Sequence, residues 1–258
     1  MKGLKINFSP DWLAHQDKKF KFIEKENSDT LIVCFSGMGS MVKYDFYNTF
    51  VNKDICKNID VIFMVDIKNF FYLPGIEGFS QNSYETVKNL AKICNDKKYK
   101  KIYFIGTSMG GYGAVMHALL FPKIESVEKI KCLLFNPLTE ASESIFEGAT
   151  KIFFDDLIFY MQQRGISKNM CYKILLSYDK DLTSLSTMIN KFDYQKHNET
   201  YIQIIYGNTD KEKNRVKKLI NFKNIKMTEY DIEGHNIAFV LSQKKLLDGI
   251  LEEFLKSS

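Results

Sequence analysis

The sequence has no long apolar stretch. Its longest apolar runs are pieces such as Leu31–Phe35 and Lys101–Ile105, much shorter than the roughly 20 residues that a membrane-spanning helix needs. The early lysines are also not followed by the apolar segment of a secretory signal. These absences exclude a transmembrane segment, and we expect a cytoplasmic protein.

Cysteine is scarce and its spacing is irregular. The five cysteines include no CxxC pair and have no histidine at metal-ligand spacing, so we expect reduced thiols and neither a metal site nor a disulfide framework. The cysteines are Cys34, Cys56, Cys94, Cys132 and Cys171.

Arginine is almost absent. Of 36 basic residues only Arg164 and Arg215 are arginines, and the net charge is a modest +5. Because recognition of bases and phosphates relies on the planar guanidinium, this pattern of dispersed lysines indicates a solvated surface and no nucleic-acid partner.

The sequence has only 14 glycines and 4 prolines and shows no internal repeat, which excludes a fibrous or low-complexity chain. The 258 residues suit one domain, 1–258, in which short apolar runs alternate with segments of helical spacing. Continuous apolar runs such as LIVCF and VIFMV are typical of parallel strands that are buried on both faces. The order predicts an α/β fold, with a mostly parallel central sheet and helices on both faces. The predicted strands are 30–36, 61–66, 101–106, 130–136, 201–207 and 226–231, and the predicted helices are 82–96, 110–120, 181–191, 211–221 and 243–255.

One segment, 139–170, interrupts this alternation. It contains the apolar and aromatic stretch IFEGATKIFFDDLIFYMQQRG and is longer than an ordinary connection. We interpret it as a helical cap insertion over the site; an ordinary covering helix with a long loop is the alternative.

A candidate nucleophile lies between a strand and a helix. Gly106, Ser108 and Gly110 form a G-x-S-x-G pattern at this junction, where the serine would sit on a strained turn above the sheet. The amide of Met109, in the first turn of the helix, has no intrahelical acceptor and could bind an oxyanion. The alternative is that Ser108 only caps the helix.

A base and an acid follow Ser108 in the chain. Of four histidines, His235 lies in a loop that Gly234 can bend toward the edge of the sheet where Ser108 is expected. His117 lies inside the helix after Ser108 and suits a packing role. Asp210 follows the strand ending at Gly207 and is the predicted acid partner of His235, since such a carboxylate fixes the imidazole tautomer. Rival acids are Asp179 and Asp181.

Two further loops follow strands at the same edge. The first holds Gly37, Met38 and Gly39; we predict the Met38 amide as the second oxyanion donor and expect the two glycines to let substrate approach. The second holds Phe71 and Tyr72, which we predict to contact substrate, with core packing as the alternative.

Together these motifs resemble the α/β-hydrolase superfamily. The resemblance is carried by FSGMG at 35–39, GTSMGGYGA at 106–114, YGNTD ending at Asp210 and GHN around His235. The segment around Ser108 is similar to that of serine esterases, whereas Ser36 stands where the family commonly has histidine. The resemblance implies the α/β-hydrolase fold and acyl transfer through an acyl-enzyme on Ser108, with Met38 and Met109 as the oxyanion hole.

The acceptor of the acyl group stays open at this stage. A carboxylesterase that uses water, acting on a small-molecule or glycan ester, is the first expectation. An O-acetyltransferase that moves acetyl from acetyl-CoA, as co-substrate, to a surface polysaccharide hydroxyl is the alternative, and an inactive binding protein on the same scaffold is a third. No metal or redox cofactor is expected, because no ligand cluster or G-x-G-x-x-G unit occurs. A homodimer is compatible with the sequence.

Overall fold

A seven-stranded sheet organises the chain. The structure is a computed structural model that describes residues 19–38, 44–52, 56–67, 69–139, 184–191, 200–217, 219, 220, 222 and 224–257. The strand order is β1-β3-β2-β4-β5-β6-β7. The strands are β1 (Phe20–Ile23), β2 (Thr30–Phe35), β3 (Asp60–Met64), β4 (Lys101–Thr107), β5 (Lys129–Phe135), β6 (Thr200–Gly207) and β7 (Ile225–Tyr230).

All neighbouring strands are parallel except β1, which pairs antiparallel with β3 at the edge. Every residue of β2 and β3 is buried, as expected for parallel strands covered on both faces. The prediction of a mostly parallel sheet is therefore confirmed. The edge strand β1 was not predicted, because its four residues include Lys21 and are only half-buried.

Helices cover both faces of this sheet. On one face the core includes Leu90 of a helix after β3 and Val115 of the helix after β4. On the other it includes Phe50, Ile237 and Leu251. The predicted two-faced arrangement is thus confirmed. The helices are α1 (Tyr47–Asn52), α2 (Ser83–Lys97), α3 (Met109–Leu120), α4 (Leu185–Lys191), α5 (Asp210–Lys217), α6 (Ile237–Gln243) and α7 (Leu247–Lys256).

The C-terminal region differs from its prediction. One helix was expected over 243–255, whereas the structure has α6 and α7 separated by a turn in which Lys245 has a φ of 59°. A residue in this left-handed region cannot continue a helix, so the chain changes direction before α7. The short helix α1 was also not predicted.

The predicted cap over 139–170 lies outside the described residues apart from Thr139, and the cap and the single-domain organisation stay predictions. None of the described helices has the length and apolarity to cross a membrane. Four of the five cysteines are buried and free, and burial raises the pKa of Cys56 and of Cys94 to about 12. Cys171 lies outside the described residues.

Candidate active site

Ser108 lies at the turn between β4 and α3 and has an unusual backbone. Its φ is 53° and its ψ is −121°, a conformation that costs energy for a residue with a side chain and is typical of strained functional turns. The Ser108 N–H is held by the carbonyl of Phe135 at 2.9 Å. Its side chain makes no helix-capping hydrogen bond, which speaks against the capping alternative.

The two glycines around Ser108 are required by close backbone contacts. A Cβ on Gly106 would overlap the carbonyl of Gly110, and a Cβ on Gly110 would overlap the carbonyl of Phe35 at the end of β2. The turn closes only because neither position carries a side chain. This packing also brings the end of β2 against the start of α3.

His235 reaches Ser108 from the loop between β7 and α6. Its Nε2 is 2.6 Å from Ser108 Oγ, and its Nδ1 is 2.9 Å from Oε1 of Glu212. Because the carboxylate requires a donor at Nδ1, we assign the neutral tautomer in which Nε2 accepts the serine hydroxyl proton. Ser108, His235 and Glu212 thus form a continuous hydrogen-bonded chain.

The acid in this chain is Glu212, and the prediction of Asp210 is wrong. Asp210 is the first residue of α5 and is exposed, whereas the Glu212 side chain is only 3% exposed. Successive helical residues are rotated by about 100°, so residues two apart point away from each other. Glu212 shares the buried face of α5 with Val216, four residues later, and this spacing is the signal that could have identified it. The rival acids Asp179 and Asp181 lie outside the described residues.

Arg215 adds a cation to this group. Its Nη1 lies 2.8 Å from Glu212 Oε1 and 3.4 Å from His235 Nδ1. Burial acts to raise the pKa of Glu212, but the hydrogen bond from His235 and the charge of Arg215 together hold that pKa below its usual value. Glu212 is therefore ionised at neutral pH.

A buried asparagine holds the histidine loop. Asn136, which follows β5 and is 0% exposed, donates from Nδ2 to the carbonyls of His235 at 2.9 Å and Gly234 at 3.2 Å. Its Oδ1 accepts the Gly207 N–H at 2.9 Å. One side chain thus ties the ends of β5 and β6 to the backbone of His235.

The loop after β2 lies beside the nucleophile turn, with Gly37 packed against Thr107. The Gly37 N–H donates to Asp45 Oδ2 at 2.8 Å, and the Asp45 N–H donates to Ser36 Oγ at 3.0 Å. The Gly37 N–H is therefore already bonded to Asp45, and the predicted role of Gly37 in letting substrate approach stays a prediction. Met38 is half-buried after it.

Gly39 and Met109 are the other two residues predicted to lie around the oxyanion. Gly39 lies outside the described residues. Met109 is buried at the first position of α3, where its N–H has no intrahelical acceptor. The oxyanion roles of Met38 and Met109 stay predictions.

Phe71 and Tyr72 are core residues, and their predicted contact with substrate is wrong. Asp66 Oδ2 accepts the N–H groups of Phe70 and Tyr72 at 2.7 and 2.9 Å, and this turn directs the rings inward. Phe71 and Tyr72 are 1% and 0% exposed. The Tyr72 hydroxyl donates to the Ser36 carbonyl at 2.7 Å, so Tyr72 supports the loop after β2 from below.

His117 is buried beneath the same loop, as its packing role predicted. Its ring stacks on Phe35 at 4.8 Å, and its Nδ1 lies 2.7 Å from the Gly113 carbonyl. Burial lowers the pKa of His117 to about 4, so this side chain is neutral at neutral pH.

Similarity to known proteins is found at the level of structure. No protein-family model matches the chain, and no curated protein matches its sequence. Among solved structures, the fluorophosphonate-binding serine hydrolase FphF of Staphylococcus aureus matches with a TM-score of 0.54 at 12% identity, over 90% of this chain and 91% of that one. The S-formylglutathione hydrolase FrmB of S. aureus matches with a TM-score of 0.53 at 13% identity, over 90% and 92%. MenH from S. aureus matches with a TM-score of 0.50 at 18% identity, over 92% and 98%. With the mostly parallel seven-stranded sheet, these likenesses show that the chain has the α/β-hydrolase fold.

Proposed function

We propose that this protein is a serine hydrolase that cleaves an ester through an acyl-enzyme on Ser108. The observation that carries the proposal is the unbroken chain from Ser108 Oγ to His235 Nε2 at 2.6 Å and from His235 Nδ1 to Glu212 Oε1 at 2.9 Å. A serine is a weak nucleophile until a base takes its proton, and a base needs a third group that holds its tautomer. All three groups are in hydrogen-bond contact.

The first half of the reaction forms the acyl-enzyme. Ser108 Oγ attacks the ester carbonyl carbon while His235 Nε2 takes the hydroxyl proton, and Glu212 stabilises the resulting imidazolium. The amides of Met38 and Met109 are the proposed donors to the oxyanion. When the carbon–oxygen bond to the alcohol breaks, His235 returns the proton to the leaving oxygen.

The second half releases the acyl group. A water molecule gives its proton to His235 as its oxygen attacks the acyl carbon, and the proton then returns to Ser108 Oγ as the acid leaves. An alcohol in place of water would give transfer rather than hydrolysis. The His235 side chain is 37% exposed, which supports access of either acceptor to the base.

The test uses a fluorophosphonate probe, since the similarly folded FphF is named for binding fluorophosphonates. Intact mass is measured for the wild type, Ser108→Ala and the control Ser242→Ala, which removes an exposed serine of α6. We expect one adduct on the wild type and on the control and none on Ser108→Ala. Hydrolysis of p-nitrophenyl acetate should fall by about 10⁴-fold or more in Ser108→Ala alone.

Two outcomes would overturn the proposal. One is a wild-type protein that forms no adduct and hydrolyses no short-chain ester. The other is a Ser108→Ala variant that is still labelled at the wild-type rate. Addition of acetyl-CoA with candidate glycans then separates transfer from hydrolysis, because transfer leaves acetyl on the glycan and hydrolysis releases acetate.

A further inference from the structure

The guanidinium of Arg215 lies within contact distance of two members of the Ser108–His235–Glu212 chain. Its Nη1 is 2.8 Å from Glu212 Oε1 and 3.4 Å from His235 Nδ1. Glu212 and Arg215 are three residues apart on α5, so they share one face of the helix. The Arg215 side chain is 21% exposed and that of Glu212 is 3% exposed.

One carboxylate oxygen therefore accepts two donors. Glu212 Oε1 receives the Nδ1–H of His235 and an N–H of Arg215, while Oε2 is buried and has no partner among the described residues. Arginine is always protonated, so this oxygen faces a permanent positive charge whether His235 is neutral or protonated.

This arrangement constrains the imidazole through Glu212. The Arg215 hydrogen bond fixes the rotamer of Glu212, which orients the imidazole toward Ser108. The guanidinium also lies 3.4 Å from His235 Nδ1, on the side of the ring that faces Glu212.

We propose that Arg215 is a positioning residue that holds Glu212 in place and thereby keeps His235 Nε2 directed at Ser108 Oγ. This inference rests on the proposed function, because it assigns a role to Arg215 in the same reaction.

Other ionisable groups near His235 do not replace Arg215. Ser108 faces it from the β4–α3 turn, and Asp231 and Glu233 of its own β7–α6 loop are exposed. The Asp231 carboxylate accepts from Asn208, and the nearby Lys213 of α5 pairs with Glu229 at 2.8 Å. Within the described residues, Arg215 is the cationic side chain that contacts the His235–Glu212 pair.

The test measures the rate of fluorophosphonate labelling at Ser108 at neutral pH and, beside it, the urea unfolding of each variant. The variants are Arg215→Met, which removes the charge, Arg215→Lys, which keeps it, and the control Lys217→Met, which removes an exposed charge from the same helix. In Arg215→Met we expect a labelling rate about tenfold lower, because Glu212 loses a charge-assisted hydrogen bond that holds its rotamer. Arg215→Lys, which keeps a donor and the charge, and Lys217→Met should stay within about twofold of the wild type.

A wild-type labelling rate in Arg215→Met would overturn the inference. A loss in Arg215→Lys equal to that in Arg215→Met would also overturn it and leave Arg215 with a purely structural role. Absence of labelling in the wild type would instead overturn the proposed function. If Arg215→Met does not fold, Arg215→Gln gives the same comparison.

Discussion

Replacement of Glu212 by glutamine tests the acid assignment with little change in shape. Glutamine keeps the size of the side chain, which is 3% exposed, and keeps an oxygen that can accept from His235 Nδ1. It removes the negative charge that stabilises the imidazolium formed when Ser108 loses its proton. We therefore expect Glu212→Gln to fold and to lose reactivity.

The expected loss of rate follows from the hydrogen bonds that Glu212 makes. A hydrogen bond to a charged group is worth about 1.5–3 kcal/mol, which corresponds to about 10- to 150-fold in rate. A glutamine that flipped its amide would favour the wrong imidazole tautomer and cost up to about 10⁴-fold. Here a flipped NH₂ would face the Arg215 Nη1, which lies 2.8 Å from the Oε1 position, so the flip is disfavoured. We expect a loss of about 10²-fold.

The assay is the rate of fluorophosphonate labelling at Ser108, measured beside p-nitrophenyl acetate hydrolysis. The matched control is Asp210→Asn, which removes a carboxylate two residues earlier on the same helix but on its exposed side. It should stay within about twofold of the wild type, as surface substitutions usually do. Wild-type rates in Glu212→Gln, or an equal loss in Asp210→Asn, would refute the assignment of Glu212.

Two further predictions concern side chains that do not react. Asn136→Ala removes the three hydrogen bonds that tie Gly207, Gly234 and His235 together, and we expect the labelling rate to fall by about 10²-fold through displacement of the base; an unchanged rate, measured well below the unfolding temperature, would contradict this role. His117 has its pKa lowered to about 4 by burial, so its contribution to stability is complete above the unfolded value of about 6.5 and is lost as pH falls toward 4. Urea unfolding from pH 7 to pH 4 should show this loss, about 3 kcal/mol, in the wild type and a flatter pH dependence in His117→Gln, whereas parallel pH dependences would refute it.

The sheet could be predicted because its signal is local. Runs such as Leu31–Phe35 are apolar at every position, and such runs are typical of strands covered on both faces. The edge strand β1 escaped prediction because its four residues are only half-buried and include Lys21, which interrupts the apolar pattern. The break between α6 and α7 escaped for another reason: Lys245 adopts a φ of 59°, and a lysine carries no local preference for that conformation.

The acid partner of His235 could not be selected from its position after a strand alone. Asp210 and Glu212 both follow β6, and the rule that ligand-facing residues follow strand ends favours the earlier one. The helix, however, begins at Asp210, so only one face of its first turn points toward His235. Val216 lies on the buried face of this helix. A residue four positions earlier lies on the same face, and this spacing selects Glu212.

The direction of the rings of Phe71 and Tyr72 could not be predicted from the sequence. Asp66 binds two backbone N–H groups in this turn, and both rings lie in the core. Composition is the same for a loop whose aromatic rings face solvent and for one whose rings face the core.

Reactive residue types identify a site, but the groups that hold it in shape are chemically ordinary. Ser108 and His235 stand out because their chemistry is rare in the sequence and their context is specific. Asn136 and Asp45 carry no such signal, yet each binds a backbone N–H of a strand-end loop, Gly207 and Gly37 respectively. A chain of hydrogen bonds from Ser108 to Glu212 needs both ends fixed to within a fraction of an ångström. Such precision comes from backbone contacts like these, between segments that are distant in the sequence. A sequence pattern therefore identifies the reactive residues but not the residues that hold them in place.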